Sequence, residues 1–231
     1  MEQVLDKKCE TINAFLSQPF SKKSLDLINE YGTIIRCEKG QHIFYEGESV
    51  EGIFFVLSGM IKIFKSGLNG KQQIIRLAKP NDIIGHRGLG GKNIYPIGAE
   101  AIEDSKVCFI ETQLFFEILR NDSEFAIWLI LFYAEELKNT ETRIRDQAQM
   151  SIREKIADAI MMIAKAYGID ARNFLKAQLS RGDIADLAGT NNEQVSRFLS
   201  EFEQDNIIEL KGKTIKILNL ELLKDKLKYY Y

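Results

Sequence analysis

The sequence predicts an α+β fold in three successive parts, and three patterns along the chain support that prediction. Short β-type segments separated by glycines occupy residues 34–110. A long stretch without Gly or Pro, with apolar residues at a seven-residue spacing, follows at residues 122–149. The remainder combines two short helices around a Gly with two alternating strands. We therefore divide the chain into residues 1–121, 122–150 and 151–231.

The composition is that of an ordinary globular protein with 45% apolar residues, 28% charged residues and a net charge of −2. The longest apolar run, residues 126–134, is far shorter than the ~20 residues that span a membrane. The acidic beginning of the chain does not have the pattern of an export signal. Cys9, Cys37 and Cys108 are widely separated and form no CxxC pair, which favours a reducing compartment. We therefore expect a cytoplasmic protein with no membrane partner.

The first part is expected to consist of antiparallel strands. Its β-type segments are TIIRC, QHIFYEG, IFFVLSG, MIKIFKSG, QQIIRLA, DIIG and KVCFIE. Apolar and polar residues alternate in residues 60–65 and 73–77. Such regularly spaced short strands are typical of a sandwich or a rolled barrel rather than of βαβ units. Residues 6–31, ahead of the strands, are predicted to form short helices.

The second part predicts one long helix with a partly polar seam. The seam comprises Ile130, Tyr133, Leu137, Thr140, Ile144 and Gln147, in the spacing of coiled-coil core positions. Two arrangements fit this pattern: a helix packed on its own β-domain, or the helix of a parallel dimer. Polar core positions weaken a seam but fix its register, and the charged flanks favour the dimer.

The third part predicts helices with clear beginnings and ends. Ser151 with Glu154 forms a capping box that begins a helix, which ends at Gly168. Ser180 and Asp183 cap the next helix in the same way. At the end of this part, residues 207–210 and 213–218 alternate as two strands around a Lys-Gly turn. These strands predict a β-hairpin.

The two short helices before this hairpin have the spacing of a winged helix-turn-helix. Ala185 falls where the helices approach most closely, and Gly189 falls in the turn, where a positive φ is needed. The residues expected between the helices are Ile184, Ala188, Val195 and Phe198. The alternative is an αα-hairpin in an all-helical core, which leaves the adjoining β-hairpin without a role.

The second short helix carries few cations for an element that enters a DNA groove, since residues 191–205 hold four acids and one base. Phosphate contacts supply affinity and base contacts supply sequence specificity, so the two roles can lie on different structural elements. We expect Arg181 and the hairpin lysines Lys211, Lys213 and Lys216 to meet phosphates. Side chains that read base edges are expected on the helix itself. The candidate DNA contacts are Arg181, Thr190, Asn192, Glu193, Gln194, Ser196, Arg197 and Lys213. The acids Glu201, Glu203 and Asp205 are interpreted as a solvated face.

Along essentially its whole length the sequence resembles the CRP/FNR superfamily of bacterial transcription regulators. EKGQHIFYEGE, IFFVLSGMIKIFK and PNDIIG resemble the sensor domain, and LSRGDIADLAGT, EQVSRFL and LKGKTIKIL resemble the DNA-binding domain. The resemblance implies an N-terminal antiparallel β-roll of the jelly-roll type (a double-stranded β-helix), a long dimerisation helix and a C-terminal winged helix-turn-helix. It also implies a homodimeric, sequence-specific regulator of double-stranded DNA that is not an enzyme, with RNA polymerase as a further candidate partner.

The resemblance also implies a half-site. Glu193, Ser196 and Arg197 match the E-x-x-S-R reading residues of the FNR branch, whereas the CRP branch has Arg at the position of Asn192. A palindromic operator with TTGAT-like half-sites is therefore expected rather than one with TGTGA-type half-sites. Whether transcription rises or falls on binding is left open.

The cyclic-nucleotide cassette of the family is only partly present. Cyclic-AMP-binding members have Gly-Glu followed some ten residues later by Arg-Ser, where the Arg neutralises the phosphate. Here His86 stands at the Glu position and Tyr95 at the Arg position. Without that Arg a cyclic phosphate loses a charge-assisted bidentate bond, so cAMP is not expected. Arg87 is a candidate for another anion, and a surface loop whose glycines permit turns is the alternative. The candidate ligand residues are Gly85, His86, Arg87 and Thr140.

Other cofactors of the superfamily are treated as alternatives. Four-thiolate ligation of an iron–sulfur cluster is impossible within a chain that has three cysteines. Haem stays open through His42 and His86, each of which has a plain core or surface role as its alternative. No metal site or resident cofactor is predicted, and the effector is an unidentified small molecule. Two other classes are a cupin-like metal-binding β-barrel, which needs several His beside a carboxylate, and a ligand-binding module without DNA.

Overall fold

The computed structural model describes Leu5–Asp6 and residues 17–225. Their contacts divide the chain into two compact units. Unit 1 contains the residues up to Ser66 together with Ala78–Lys138, and unit 2 contains Gly67–Leu77 and the residues from Asn139 onward. The α+β class is confirmed. Within the described ranges, no helix combines the length and the apolar character needed to cross a membrane.

The strands are β1 (Leu5–Asp6), β2 (Thr33–Cys37), β3 (His42–Phe44), β4 (Gly52–Ser58), β5 (Ile61–Ser66), β6 (Gln72–Ala78), β7 (Ile83–Ile84), β8 (Gly98–Ala101), β9 (Ser105–Glu111), β10 (Ile208–Lys211) and β11 (Thr214–Ile217). The helices are α1 (Lys22–Tyr31), α2 (Thr112–Asn121), α3 (Ser123–Gln149), α4 (Ile152–Tyr167), α5 (Arg181–Ala188), α6 (Asn192–Gln204) and α7 (Leu220–Asp225).

Unit 1 is built on two antiparallel sheets. One has the order β1-β2-β9-β4-β7. In the other, β8 lies between β3 and β5. Most neighbours in these sheets are distant in sequence, as expected when antiparallel strands roll into two facing layers. The predicted rolled β-domain is therefore confirmed.

The sequence prediction missed strand β8. Its residues GAEA lack the β-branched and aromatic side chains that signal a strand. A Cβ placed on Gly98 would lie 2.6 Å from Cζ of Phe64, so the glycine lets this ring pack directly against the strand. The strand therefore exists because of tertiary packing and not because of local preference.

A hydrophobic core covers one face of the five-stranded sheet. Phe55 on β4, Phe115 on α2 and Phe125 on α3 are fully buried in it. Asp122 links this core to α1, since its carboxylate accepts hydrogen bonds from Ser24 Oγ at 2.6 Å, Ser21 N at 2.7 Å and Phe125 N at 3.2 Å. Burial opposes ionisation of this carboxyl, but the hydrogen bonds outweigh it and hold the pKa of Asp122 below its usual value.

One expectation for unit 1 is corrected. Helices were predicted over residues 6–31, but Leu5–Asp6 pairs with β2 as a strand, and only Lys22–Tyr31 is helical among the described residues of that range. Residues 7–16 lie outside the described part of the chain. Within β5, where apolar and polar residues alternate, Lys62 is buried with its Nζ 3.1 Å from Glu100 Oε1. Lys62 tolerates burial because it is paired.

The helix boundaries of unit 2 follow the predicted caps. Both reciprocal hydrogen bonds of the capping box are present at Ser151 before α4 and at Ser180 before α5. Gly168 ends α4 with φ of 81°. Strands β10 and β11 form the predicted hairpin, one residue shorter at each outer end than the sequence suggested. The domain boundaries after residues 121 and 150 stay predictions, and the division by contacts falls within α3, between Lys138 and Asn139.

Candidate nucleic-acid interface

Helices α5 and α6 form the predicted helix-turn-helix. The turn between them contains Gly189 in the left-handed conformation, with φ of 68° and ψ of 44°. Ala185 and Val195 are buried at the contact of the two helices. The small side chain of Ala185 permits this close approach, and the glycine permits the turn.

The inner face of α6 differs in phase from the prediction. Phe198 was expected inside, but it is only half-buried, whereas Leu199 and Phe202 are completely buried. Positions three and four residues beyond Val195 both lie near its face of a helix, so the sequence alone did not distinguish Phe198 from Leu199. The ring of Phe198 instead supports Arg197, whose guanidinium lies 4.4 Å from the ring centroid.

The opposite edge of α6 is exposed at the positions predicted to read bases. Asn192, Glu193, Ser196 and Arg197 are all exposed. Arg197 is held in place, because its Nη2 donates to Gln194 Oε1 at 2.8 Å. The helix therefore presents one cation, one carboxylate and two neutral hydrogen-bonding groups along a single edge.

The acids at the far end of α6 have intramolecular partners, which corrects the interpretation of a merely solvated face. Arg153 on α4 donates from Nη2 to Asp205 Oδ2 at 2.6 Å and has its Nε 3.7 Å from Glu201 Oε2. Its guanidinium also lies 5.2 Å from the centroid of Phe202. The remaining acid, Glu203, accepts a hydrogen bond from Leu210 N at 2.8 Å. These carboxylates tie α6 to α4 and to the hairpin.

The candidate phosphate-binding cations differ in how accessible they are. Lys213, in the turn of the hairpin, is exposed. Lys211 and Lys216 both pair with Glu209, at 2.9 Å and 3.2 Å, and these contacts hold the pKa of Glu209 below its usual value. Arg181 is half-buried, and burial lowers the pKa of its guanidinium although Glu203 acts in the opposite direction.

Thr190 is half-buried in the turn after Gly189, where its backbone N–H donates to Ala185 O at 3.0 Å. This hydrogen bond closes the end of α5. The predicted DNA contacts thus lie at the start of α5, on the turn, on α6 and on the hairpin of one compact unit.

The candidate ligand residues of unit 1 are engaged in packing. Gly85 adopts φ of 82° ahead of a short 3₁₀ helix, and His86 is buried, with its ring edge-on to Phe132 and Tyr133 at 5.2 Å. Arg87 forms an ion pair with Glu136, at 2.8 Å. In the structure α3 thus supplies a carboxylate to this arginine, and its role towards another anion stays a prediction.

Tyr95, at the position of the phosphate-binding Arg, is buried. Its ring stacks on Phe44 with centroids 4.3 Å apart, and its hydroxyl donates to Gly52 O at 2.7 Å. A buried phenol thus stands at this position, and a buried imidazole stands at the Glu position. Thr140, the fourth candidate, is an exposed residue of α3 and belongs to unit 2.

The seam of α3 divides into two kinds of position. Ile130, Leu137 and Ile144 are 61–68% exposed. Tyr133 instead turns towards its own β-domain and donates its hydroxyl hydrogen to His86 O at 2.7 Å. Gln147 is half-buried beside Gly189. The apolar positions are thus solvent-facing in the single chain, while two of the polar positions contact that chain.

The described cysteines and histidines are built into the fold. Cys108 is completely buried in the core, and burial raises the pKa of Cys37 to about 11. Ile34, three residues before Cys37, pairs with Cys108, so the two thiols lie on opposite faces of the sheet. His42 stacks on Tyr45 and lies 3.7 Å from a carboxylate oxygen of Glu100. Both described histidines thus pack against aromatic rings, and haem ligation by either one stays a prediction.

Comparisons with known proteins match both parts of the chain. The cyclic nucleotide-binding domain matches residues 34–122, and the Crp-like helix-turn-helix domain matches residues 154–226. The transcriptional activator protein FnrA of Stutzerimonas stutzeri is 30% identical over 223 residues, which cover 92% of this chain and 88% of that protein. The regulatory protein HlyX of Actinobacillus pleuropneumoniae is 28% identical over 190 residues, with 80% and 78% covered.

The fold is shared with a solved structure, that of FixK2 from Bradyrhizobium japonicum. The TM-score is 0.74 at 24% identity, and the match covers 84% of this chain and 96% of that one. The antiparallel β-domain, the helix-turn-helix and the similar length of these relatives all agree with the family matches. The chain belongs to the CRP/FNR family of DNA-binding transcription regulators, a family of regulators and not of enzymes.

Proposed function

We propose that this protein is a homodimeric regulator that reads a palindromic operator with the exposed edge of α6. The observation that carries the proposal is the opposition of two faces on one helix. Glu193, Ser196 and Arg197 share the exposed edge, while Val195 and Leu199 anchor the other side in the core. A helix supported in this way can place its polar edge in a major groove without losing its packing.

Four side chains of α6 have base partners that fit their chemistry. The guanidinium of Arg197 fits guanine O6 and N7, the carboxylate of Glu193 accepts from cytosine N4, and Asn192 or Gln194 pairs with adenine. Lys213 lies where it meets a phosphate, with Arg181 and Thr190 as further backbone contacts. A TTGAT-like half-site supplies these bases, in agreement with the FNR-branch pattern.

Selection of binding sites from random DNA tests the proposed half-site. We expect enrichment of two TTGAT-like half-sites related by two-fold symmetry and about one helical turn apart. The same selection with the variant Asn192→Arg is a more specific test. An arginine at this position is the feature of the CRP branch, so the variant should favour a G·C pair at the base pair that the arginine reaches. Selected sites without two-fold symmetry would overturn the proposal, and an unchanged preference of Asn192→Arg would remove that residue from the reading edge.

The second copy is proposed to cover α3. Besides the predicted Ile130, Leu137 and Ile144, the structure exposes Ile127 and Leu131 on this helix, which widens the apolar face. Large exposed apolar patches on soluble proteins mark interaction sites, and a two-fold dimer buries the same patch on both copies. A palindromic operator requires the same symmetry.

The effector is proposed to act on the β-domain and not to be cAMP. Unit 1 contains an open cavity of about 650 Å³ with Phe44, Phe54 and Tyr95 in its lining and Glu48 and Glu51 among its polar residues. An aromatic lining with carboxylates suits an apolar or cationic molecule better than an anionic phosphate. Differential affinity of such a molecule for two arrangements of the dimer would drive the switch.

Mass spectrometry and an absorption spectrum of protein purified without added ligand test the effector proposal. A co-purified cyclic nucleotide, or a haem spectrum, would contradict it. We further propose that the regulator works in the cytoplasm and that RNA polymerase is its partner at promoters. A supershifted complex of operator, protein and polymerase tests that partner, and its absence would contradict it.

A further inference from the structure

We propose that Arg143 is a positioning residue for DNA binding, which ties the C-terminal end of α5 to the main chain of β6. Arg143 lies near the end of α3, in unit 2 with α5, α6 and Gly67–Leu77. The inference rests on the DNA contact by α6 proposed above. It concerns the support of the helix-turn-helix, since Arg143 itself lies on a different helix from the reading edge.

The C-terminal end of α5 receives hydrogen bonds from residues outside the helix. The last carbonyls of an α-helix have no donors within the helix and need partners from elsewhere. Nη2 of Arg143 donates to Leu187 O at 2.7 Å, and Nε2 of Gln73 donates to Asp186 O at 2.6 Å and to Leu187 O at 3.3 Å. Two side chains from outside the DNA-binding motif thus satisfy consecutive carbonyls at its first helix.

Arg143 also binds the main chain of β6. The same Nη2 of Arg143 also donates to Ile74 O at 2.9 Å, and Ile74 is completely buried on β6. Another nitrogen of the guanidinium contacts the sulfur of Met162 on α4. One half-buried cation therefore joins main-chain atoms of β6 and α5 and touches α4.

The electrostatics favour this arrangement. The C-terminal end of a helix carries partial negative charge, so a cation there is stabilising. Hydrogen bonds from a charged donor are also roughly twice as strong as neutral ones. Arg143 supplies both effects, whereas the neutral amide of Gln73 supplies only hydrogen bonds. Arg143 is accordingly the principal tie and Gln73 the secondary one.

Close packing around Gly189 restricts the movement of α5 at the end that Arg143 holds. A Cβ on Gly189 would lie 2.8 Å from Gln147 Oε1 and 3.1 Å from Gln73 Oε1, so α5 has little room to rotate at this end. Because α5 packs on α6, a tilt of α5 moves the edge that carries Arg197. A displacement of β6 or of the end of α3 is transmitted to the reading edge through these bonds.

The test compares three variants in the full-length chain. Arg143→Gln removes the charge and the shared guanidinium, Arg143→Lys keeps the charge and reaches one carbonyl, and Gln73→Ala removes only the secondary tie. Lys138→Gln is the matched control, because Lys138 is an exposed cation on the same helix that pairs only at 3.4 Å with Glu135. Dissociation constants for the selected operator and for random DNA are measured well below each unfolding midpoint.

We expect Arg143→Gln to weaken operator binding at least about fivefold and random DNA binding clearly less, because the misplaced edge loses base contacts. Arg143→Lys should recover part of the loss, and Lys138→Gln should bind as wild type does. If Arg143→Gln does not fold, Gln73→Ala decides, with a smaller loss expected in the same direction. Operator affinity equal to wild type in the folded variants, or equal losses on both DNAs, would overturn the inference. A wild-type chain with no operator preference would instead overturn the proposed function.

Discussion

Replacing Arg197 with Ala should weaken operator binding without unfolding the protein. In the free chain this side chain is 58% exposed, and its nearest carboxylate, on Glu201, lies 3.9 Å away. Exposed ion pairs of this kind contribute about 0–1 kcal/mol. The substitution therefore lowers the free energy of unfolding by less than about 1 kcal/mol.

The expected cost on DNA is larger, because in the proposed contact a desolvated guanidinium meets two acceptors of one base. A bidentate arginine–guanine contact supplies about 1–3 kcal/mol of discrimination. This corresponds to an operator dissociation constant about 5- to 150-fold weaker. Support from Gln194 and from the Phe198 ring holds the guanidinium beside the helix, so little side-chain entropy is lost when the base contact forms.

Fluorescence anisotropy at one stated salt concentration separates this role from a general charge effect. Arg197→Ala should lose affinity for the operator and much less for random DNA, and the discrimination should disappear at one base pair. Lys213→Ala should weaken both DNAs alike and reduce the salt dependence by about one phosphate contact. Arg120→Ala, which removes an exposed cation from α2, is the control and should bind as wild type does. Equal losses of Arg197→Ala on operator and random DNA would refute the assigned role.

Three further predictions concern stability, thiols and assembly. The pKa of Asp122 is lowered in the folded state, so its contribution to stability is complete above the ordinary Asp pKa of about 3.9 and is lost as pH falls through the folded pKa. When the urea midpoint of unfolding is measured against pH, Asp122→Asn should therefore lose less stability at acid pH than wild type does. An acid dependence equal to that of wild type would contradict this prediction. In a Cys9→Ser background, Cys37 and Cys108 should react with a thiol reagent only at the rate of global unfolding, because both are buried; fast labelling of the native state would disprove it. Leu137→Glu should convert a dimer to monomers in sedimentation, whereas Lys138→Glu should not, and a persistent Leu137→Glu dimer would place the interface elsewhere.

Features set by local chemistry could be predicted from the sequence. The Ser151 and Ser180 caps, the left-handed Gly189 and the hairpin are determined by residues within a few positions of each other. A capping side chain bonds to an N–H three residues away, and only glycine adopts the turn conformation at no steric cost. The outward positions of Asn192, Glu193, Ser196 and Arg197 on α6 agree with the predicted helix, whereas its inner face was predicted one residue out of phase, at Phe198 instead of Leu199.

Features that depend on distant partners could not be predicted. Arg153 binds Asp205 across 52 positions, so the acids of α6 looked merely solvated in the sequence. Strand β8 exists because Phe64 needs the space above Gly98, a relation that strand propensities do not contain. The hydrogen bonds of Arg143 could not be predicted either, since their acceptors are main-chain carbonyls, which every residue possesses. Family patterns indicated the β-domain but not that Tyr95 would be buried within it.

Hydroxyl-radical footprinting of the full-length protein on its selected operator shows whether two copies of α6 read a symmetric site. We expect two protected tracts about one helical turn apart, with two-fold symmetry, and loss of both tracts for Arg197→Ala at a concentration that saturates the wild type. A single tract without symmetry, or a wild-type pattern retained by Arg197→Ala, would contradict this expectation.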